Sequence, residues 1–405
     1  MAVEAQNEGR GSRLAVTLSG TNLARAGDYN QRVVLQAIRT SGETTRVDLC
    51  RTTGLTAPTI ANITRRLMEA GLVKEIGRLQ GPRGQPAIQL TVEPLGCVAI
   101  GLNVDRDHLT LVALDLAGQV RARIVREVAF ALPSDVVTFV SGSIDPLLAE
   151  AGVGRDRVLG MGVALPDDLG QISLPGRPDE YQRWADISVA ELLRPAVSWP
   201  VLVDNDAAAA AVGEAQSGAG LTLPSFFYIL ISSGLGGGLM IDRHYVVGAN
   251  RRSAELGLLP DVTSLAPGAV VQDIVSLSAL MDRLTRAGLP AGTLADLNPD
   301  DPAAITVFEQ WLSDATRALV PPLVSINCLI NPHAIILGGR LPGFLIEALI
   351  VRLRTALEDM HLPATAPILR ARMAHEAPAI GAAILPFLDQ LLPSDATLMQ
   401  AGRSS

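Results

Sequence analysis

Cysteine is scarce in this 405-residue chain. Cys50, Cys97 and Cys328 are far apart and odd in number, which excludes a disulfide framework and any CxxC zinc knuckle. Each reads as a small core hydrophobe. Nowhere is there an unbroken run of about 18 apolar residues, the length a membrane-spanning helix needs. The most apolar stretch, Ala318 to Leu337, is interrupted by Pro321, Pro322, Asn327, Asn331 and Pro332. The opening MAVEAQNEGRGSR lacks the apolar core of a secretory signal. These absences lead to the expectation of a cytoplasmic protein with no membrane partner. Charged residues are few, 18% against 48% hydrophobic, so the chain is expected to fold, and its length calls for two or three domains.

The charge that is present is unevenly placed. Asn30 to Val92 carries nine Lys and Arg against four Asp and Glu, whereas Glu93 to the end carries 21 against 34. A basic head on an acidic body suggests that only the head meets a polyanion. Residues 1–29 are polar and small and read as a mobile arm. A helix is expected over Gln31 to Thr40, with Val33, Val34, Leu35 and Ile38 on one face, stopped by Gly42. Thr45 can cap a second helix that ends at Gly54, and Thr56 a third, with Pro58 in its first turn. On this third helix Ile60, Ile63, Thr64 and Leu67 face inward, and Thr59, Asn62, Arg65, Arg66 and Glu69 face out. Leu72 to Ile76 and Ala87 to Val92 follow as two strands around the loop GRLQGPRGQP. This order is that of a winged helix-turn-helix over residues 30–92. Thr59, Asn62, Arg65 and Arg66 are the candidates for DNA contact, with Arg46, Arg78 and Arg83 near phosphate; Thr and Asn can read base edges, and Arg can do either.

From about Leu95 strands and helices alternate in two sets. The first holds CVAIGLNV, LTLVALDL and RARIVREVAF and later VLV. The second begins with FFYILISSGLGGGLMI, carries helices near Val270 to Ala287, Ala303 to Ile330 and Phe344 to Asp359, and includes the strand HAIIL. Two such α/β sets suggest two lobes around a cleft.

Read in order, RVDLCRTTGLTAPTIANITRRLMEAGLV, VLVDNDAAAAAVGE, SSGLGGGL, AELG and INPHAIILGGRL resemble the ROK family (repressors, open reading frames and kinases), its regulator branch most of all, from about Asn30 to about Leu391. The wing is less alike, with RGQP where the family has a Gly-Arg-Pro element. The resemblance implies an α/β body of the two-lobed actin-like, ribonuclease-H-like kind behind the winged helix-turn-helix. One lobe would be 95–206 with 377–393, and the other 207–376. In the family's kinases a glycine-rich hairpin meets ATP phosphate, an Asp is general base on the sugar, a second glycine-rich turn holds phosphate, and a His/Cys cluster binds zinc.

Set against that chemistry, the family's Asp-x-Gly-Gly-Thr turn falls at Asn103-Val104-Asp105-Arg106-Asp107. No glycine remains there, and two acidic side chains are expected to face the triphosphate position and repel it. The second turn, with Gly234, Gly236, Gly237 and Gly238, is kept. It reads either as a vestigial phosphate loop or as a bend needing positive φ. Asp206 takes the place of the catalytic base and, with Asn205 and Glu255, is a candidate sugar contact; it could equally be a helix cap. Leu258 replaces the zinc-side His and the stretch LPDVTSLAPGAVVQD that follows has no Cys, so no zinc site is expected, and no nucleotide cofactor either. Gly338-Gly339 match the adenosine-side turn, which a strand-to-helix bend explains equally well. The expected function is a non-catalytic, DNA-binding transcriptional regulator of carbohydrate genes, with operator DNA, a sugar or sugar derivative, and a second copy (homodimer or homotetramer) as partners. An ATP-dependent sugar kinase and a ligand-independent dimeric regulator are the alternatives.

Overall fold

A computed structural model describes residues 23–79, 87–167, 169–171, 177–249, 252–291 and 297–393. The head is built from α1 (Leu23–Ser41), β1 (Thr44–Thr45), α2 (Arg46–Thr53), α3 (Ala57–Glu69), β2 (Val73–Leu79) and β3 (Ala87–Val92). The first helix thus starts at Leu23, and the last residues of the expected mobile arm are helical; residues 1–22 lie outside the described residues. Thr45 caps α2 by accepting from the Asp48 amide at 3.2 Å, and Gly54, at φ 72°, closes it in the left-handed conformation that glycine adopts at no steric cost. Thr56 precedes α3, but its hydroxyl bonds Thr59 Oγ1 rather than a backbone amide. Ile60, Ile63, Thr64 and Leu67 are buried, as their spacing predicts.

The body contains β4 (Val98–Val104), β5 (His108–Asp115), β6 (Val120–Glu127), α4 (Pro133–Ala151), β7 (Val158–Leu165), α5 (Val189–Leu193), β8 (Val201–Asn205) and α6 (Asp206–Ser217). Then come β9 (Phe226–Ile231), β10 (Leu235–Ile241), β11 (His244–Tyr245), α7 (Leu277–Arg286), α8 (Pro302–Leu329), β12 (Ala334–Gly339), α9 (Gly343–Glu358), β13 (Ile368–Arg370) and α10 (Ala377–Gln390). Two five-stranded sheets run β6-β5-β4-β7-β8 and β11-β10-β9-β12-β13. In each, an antiparallel meander of three strands is extended by two parallel strands, so the second sheet repeats the topology of the first. The helix expected from Val270 begins at Leu277, because residues 271–273 form a separate 3₁₀ turn.

Between the sheets lie α10, packed on β4 and β7, and α6, packed on β10. Small residues allow this stack. A Cβ on Gly101 or Gly162 would enter the backbone of α10, and one on Gly381 of α10 would enter the carbonyl of Ala209 on α6. On the far side of α6, a Cβ on Gly236 would lie 2.7 Å from that of Ala207, and one on Gly238 2.6 Å from the Ala207 carbonyl. None of Gly234, Gly236, Gly237 and Gly238 has positive φ, which corrects the expectation of a φ-driven bend. Gly236 and Gly238 are there because a helix lies against them, and Gly237 because the Ala254 carbonyl and the Phe227 ring do.

Head and body share one hydrophobic cluster. Val34, Leu35, Ile38, Ile60 and Leu67 of the head join Cys97, Leu114, Ile384 and Phe387 of the body. Of the cysteines, Cys97 is buried, Cys50 half-buried and Cys328 exposed, so only Cys97 fully meets the expectation of a core residue.

Candidate DNA interface and ligand cleft

On α3 the side chains of Asn62, Arg65 and Arg66 are exposed and Thr59 is half-buried against Thr56. Arg65 spans Asn62 Oδ1 at 3.3 Å and Glu69 Oε1 at 3.4 Å, exposed pairs that a phosphate can displace at little cost. Arg46 is less free: its Nε donates to Thr64 Oγ1 at 3.1 Å and its guanidinium lies 3.6 Å from Glu75. Arg78 is exposed on β2, and Arg83 lies outside the described residues.

The cleft forms where β8 passes into α6. Asn205 caps that helix, its Oδ1 accepting from the amides of Ala207 (2.9 Å) and Ala208 (3.1 Å) while its Nδ2 donates to Asp167 Oδ2 at 3.0 Å. Asp206 is buried and accepts from the Ala207 amide at 2.7 Å. Glu255 lines the same cleft, paired with Arg252 at 2.7 Å, as do Arg106, Ser232, Gly234, Gly236, Leu258 and Gln272. Asn205, Asp206, Glu255, Gly234 and Gly236 therefore meet in one place, whereas Gly237 and Gly238 are packing residues behind it. The cavity between them measures about 60 Å³.

Burial first, and the neighbouring Asp105 next, push the Asp206 carboxyl up to about 7, against about 3.9 in an unfolded chain. Between those values the folded chain holds a proton that the unfolded chain has released. The associated stability is therefore fully present below about pH 4 and is lost as pH rises towards 7. Asp206→Asn, which never ionises, is expected to raise Tm at pH 8 and to raise it less at pH 5. Thermal melts of both proteins at the two pH values check this.

The turn after β4 differs from expectation in one respect. Asp105 and Asp107 do not present two free carboxylates to the cleft. Asp105 is 2% exposed and accepts from the Arg106 amide at 2.7 Å. Asp107 takes His108 Nδ1 at 2.7 Å and Arg340 at 3.0 Å. Burial alone would raise the Asp107 carboxyl; hydrogen bonding to His108 and the charges of His108 and Arg340 outweigh it and hold the group below the usual carboxylate range. The side chain that reaches the cleft is Arg106, with both terminal nitrogens 3.6 Å from where a Cβ on Gly234 would stand. Periodicity gives no hint of this residue; the signal is its position inside a turn where the resemblance calls for glycine.

Arg340 follows Gly338-Gly339 on the second sheet and reaches the first, donating to Glu127 at 2.6 Å and forming an ion pair with Asp107 at 3.0 Å. It borders a second cavity of about 350 Å³, lined also by His108, Arg123, Arg370 and His375. Where the resemblance calls for zinc, the donors do not fit. Leu258 is exposed, and Asp261 is spent on the amide (2.9 Å) and hydroxyl (2.6 Å) of Thr263. Among the described residues the converging group of His, Cys, Asp or Glu is Asp105, Asp107 and His108, whose Asp107 already faces a guanidinium. Among the described residues no helix is long and apolar enough to cross a membrane.

The ROK family pattern matches residues 99–387, and a winged helix-turn-helix DNA-binding pattern matches residues 28–74. The chain belongs to the ROK family, and with that head it is built as a DNA-binding transcriptional regulator. A protein of Sinorhizobium fredii, y4fQ, is 28% identical over 88% of this chain and 90% of its own length. The xylose repressor of Bacillus subtilis is 25% identical over 56% of this chain, an alignment spanning 59% of that repressor. A crystal structure of a ROK family transcriptional regulator, a homologue of the Escherichia coli Mlc protein, superposes with a TM-score of 0.65 over 94% of this chain and 100% of that one, at 22% identity, and so shares the fold.

Proposed function

We propose that the head reads an operator while the body binds a sugar or sugar derivative in the Asn205–Asp206–Glu255 cleft without phosphorylating it. The observation that carries the reading is that the nucleotide side is crossed by the chain's own ion pairs: Arg340 reaches between the sheets to Asp107 and Glu127. Phosphoryl transfer needs open glycine amides and a cation clamp on the nucleotide; here the Arg340 guanidinium is held by carboxylates. Support for the sugar comes from a relative named xylose repressor. Asp206, with its carboxyl near 7, is suited to general base work, and this favours the kinase as second reading.

A route from cleft to head is present. Helix α6 starts at the cleft and, over 12 residues, extends roughly 18 Å. At its far end Arg39 of α1, 8% exposed, donates to the Gln216 carbonyl at 3.3 Å and to the Leu116 carbonyl at 3.0 Å. A ligand that prefers one setting of α6 thereby favours one setting of the head. Helix-turn-helix heads read paired half-sites as dimers, so an operator with two-fold symmetry is expected. The test is selection of duplexes from a random pool by the full chain. Enrichment of one symmetric sequence supports the reading; retention of all sequences alike refutes it.

A further inference from the structure

We propose that the cleft's ligand is an anionic sugar derivative, one bearing a carboxylate or a phosphate, and that Arg106 holds the anion. This rests on the reading of the cleft as a sugar site and narrows it to a chemical class.

Among the described residues, one cation of the cleft lacks a hydrogen-bonded anion. Each carboxylate in the cleft is already committed: Asp167 receives Asn205 Nδ2, Glu255 receives Arg252, and Asp206 receives the Ala207 amide with its own ionisation suppressed. Arg106 is the exception. Its backbone is fixed, the amide on Asp105 and the carbonyl accepting from Ala131, so its side chain is aimed from a rigid hairpin. Its guanidinium makes no hydrogen bond or ion pair among the described residues, yet the residue is half-buried and lines the cleft. An arginine cannot shed its proton to escape that situation. Its planar fork matches a carboxylate or phosphate through two parallel hydrogen bonds, and such charge-assisted pairs are the strong ones. Gly234, beside it with no side chain, leaves the approach open. The charge of Arg106 acts on Asp206 only through space; a neutral sugar would leave the guanidinium without a hydrogen-bonded anion, and an anionic one would supply it.

The experiment is a thermal-shift and calorimetric comparison of matched probes on the full chain: glucose against glucuronate and glucose 6-phosphate, and N-acetylglucosamine against its 6-phosphate, with inorganic phosphate as control. The expected result is at least tenfold tighter binding of an anionic member over its neutral partner. That preference should vanish in Arg106→Ala and be partly kept in Arg106→Lys, whose retained charge also covers a failure of the alanine variant to fold. If a neutral sugar binds as tightly as its anionic partner, the anion inference falls while the sugar cleft stands. If the preference survives in Arg106→Ala, Arg106 is not the anion's holder and the inference falls. If inorganic phosphate alone binds as tightly as the sugar phosphates, or no probe binds at all, the sugar reading falls and this inference with it.

Discussion

Gly381→Val is expected to leave the chain insoluble, or to lower its Tm by more than ten degrees. The substituted carbon would be driven into the Ala209 carbonyl where α10 crosses α6, and neither side can retreat. Behind α10 lie Gly101 and Gly162 of the first sheet, and behind α6 lie Gly236 and Gly238 of the second, so each layer is already at backbone contact. Overpacking of a core costs about 1–3 kcal/mol where side chains can yield; here the obstacle is main chain. The matched control is Gly142→Ala in α4, where a Cβ meets nothing within 4 Å. That change is expected to stabilise by about 0.5–1 kcal/mol through helix propensity. Circular dichroism melts of the two variants beside the parent give the comparison, and a Gly381→Val protein that melts like the parent would show the helix crossing to be looser than described.

The second large effect is expected at α3. Replacing Arg65 and Arg66 together by alanine should weaken operator binding by about a hundredfold or more, since loss of a base contact costs about 1–3 kcal/mol and loss of a phosphate contact also removes a counterion-release term. Both side chains are exposed, and Arg65 gives up only weak pairs with Asn62 and Glu69, so the fold should not suffer. Affinity measured by fluorescence anisotropy at several salt concentrations should show a shallower salt dependence for the double variant. Asn62→Ala should instead relax base preference with the salt dependence unchanged. Equal behaviour of the two would contradict the division between base and phosphate contacts.

The parts of this molecule that the sequence reveals are those set by local spacing. The inward face of α3, its Pro58 start, and the Gly54 turn follow from side-chain period and backbone permission alone, and they stand where the spacing puts them. The cap expected at Asp206 falls instead on Asn205, and the convergence of Asp206 and Glu255 follows from the resemblance and not from local spacing. What local pattern misses is set by distant partners. Helix α1 reaches back to Leu23, and Arg32 within it is held by the carbonyls of Asp389 and its neighbours at the far end of the chain. The glycines of the SGLGGG turn look like a phosphate cradle until α6 is found lying on them. Asp105 and Asp107 look repulsive until His108 and Arg340, the latter more than two hundred residues on, take up the charge of Asp107. Arg106 gains its meaning only when Gly234 of the other sheet is seen beside it.

The central claim is that this body keeps the cleft of a sugar kinase and has closed its nucleotide half with ion pairs of its own. The most direct measurement is phosphoryl transfer from γ-labelled ATP, by the purified full chain, to a panel of hexoses, pentoses and amino sugars. No transfer above the protein-free rate is predicted for any of them. Saturable turnover of any sugar, abolished by Asp206→Asn, would contradict it.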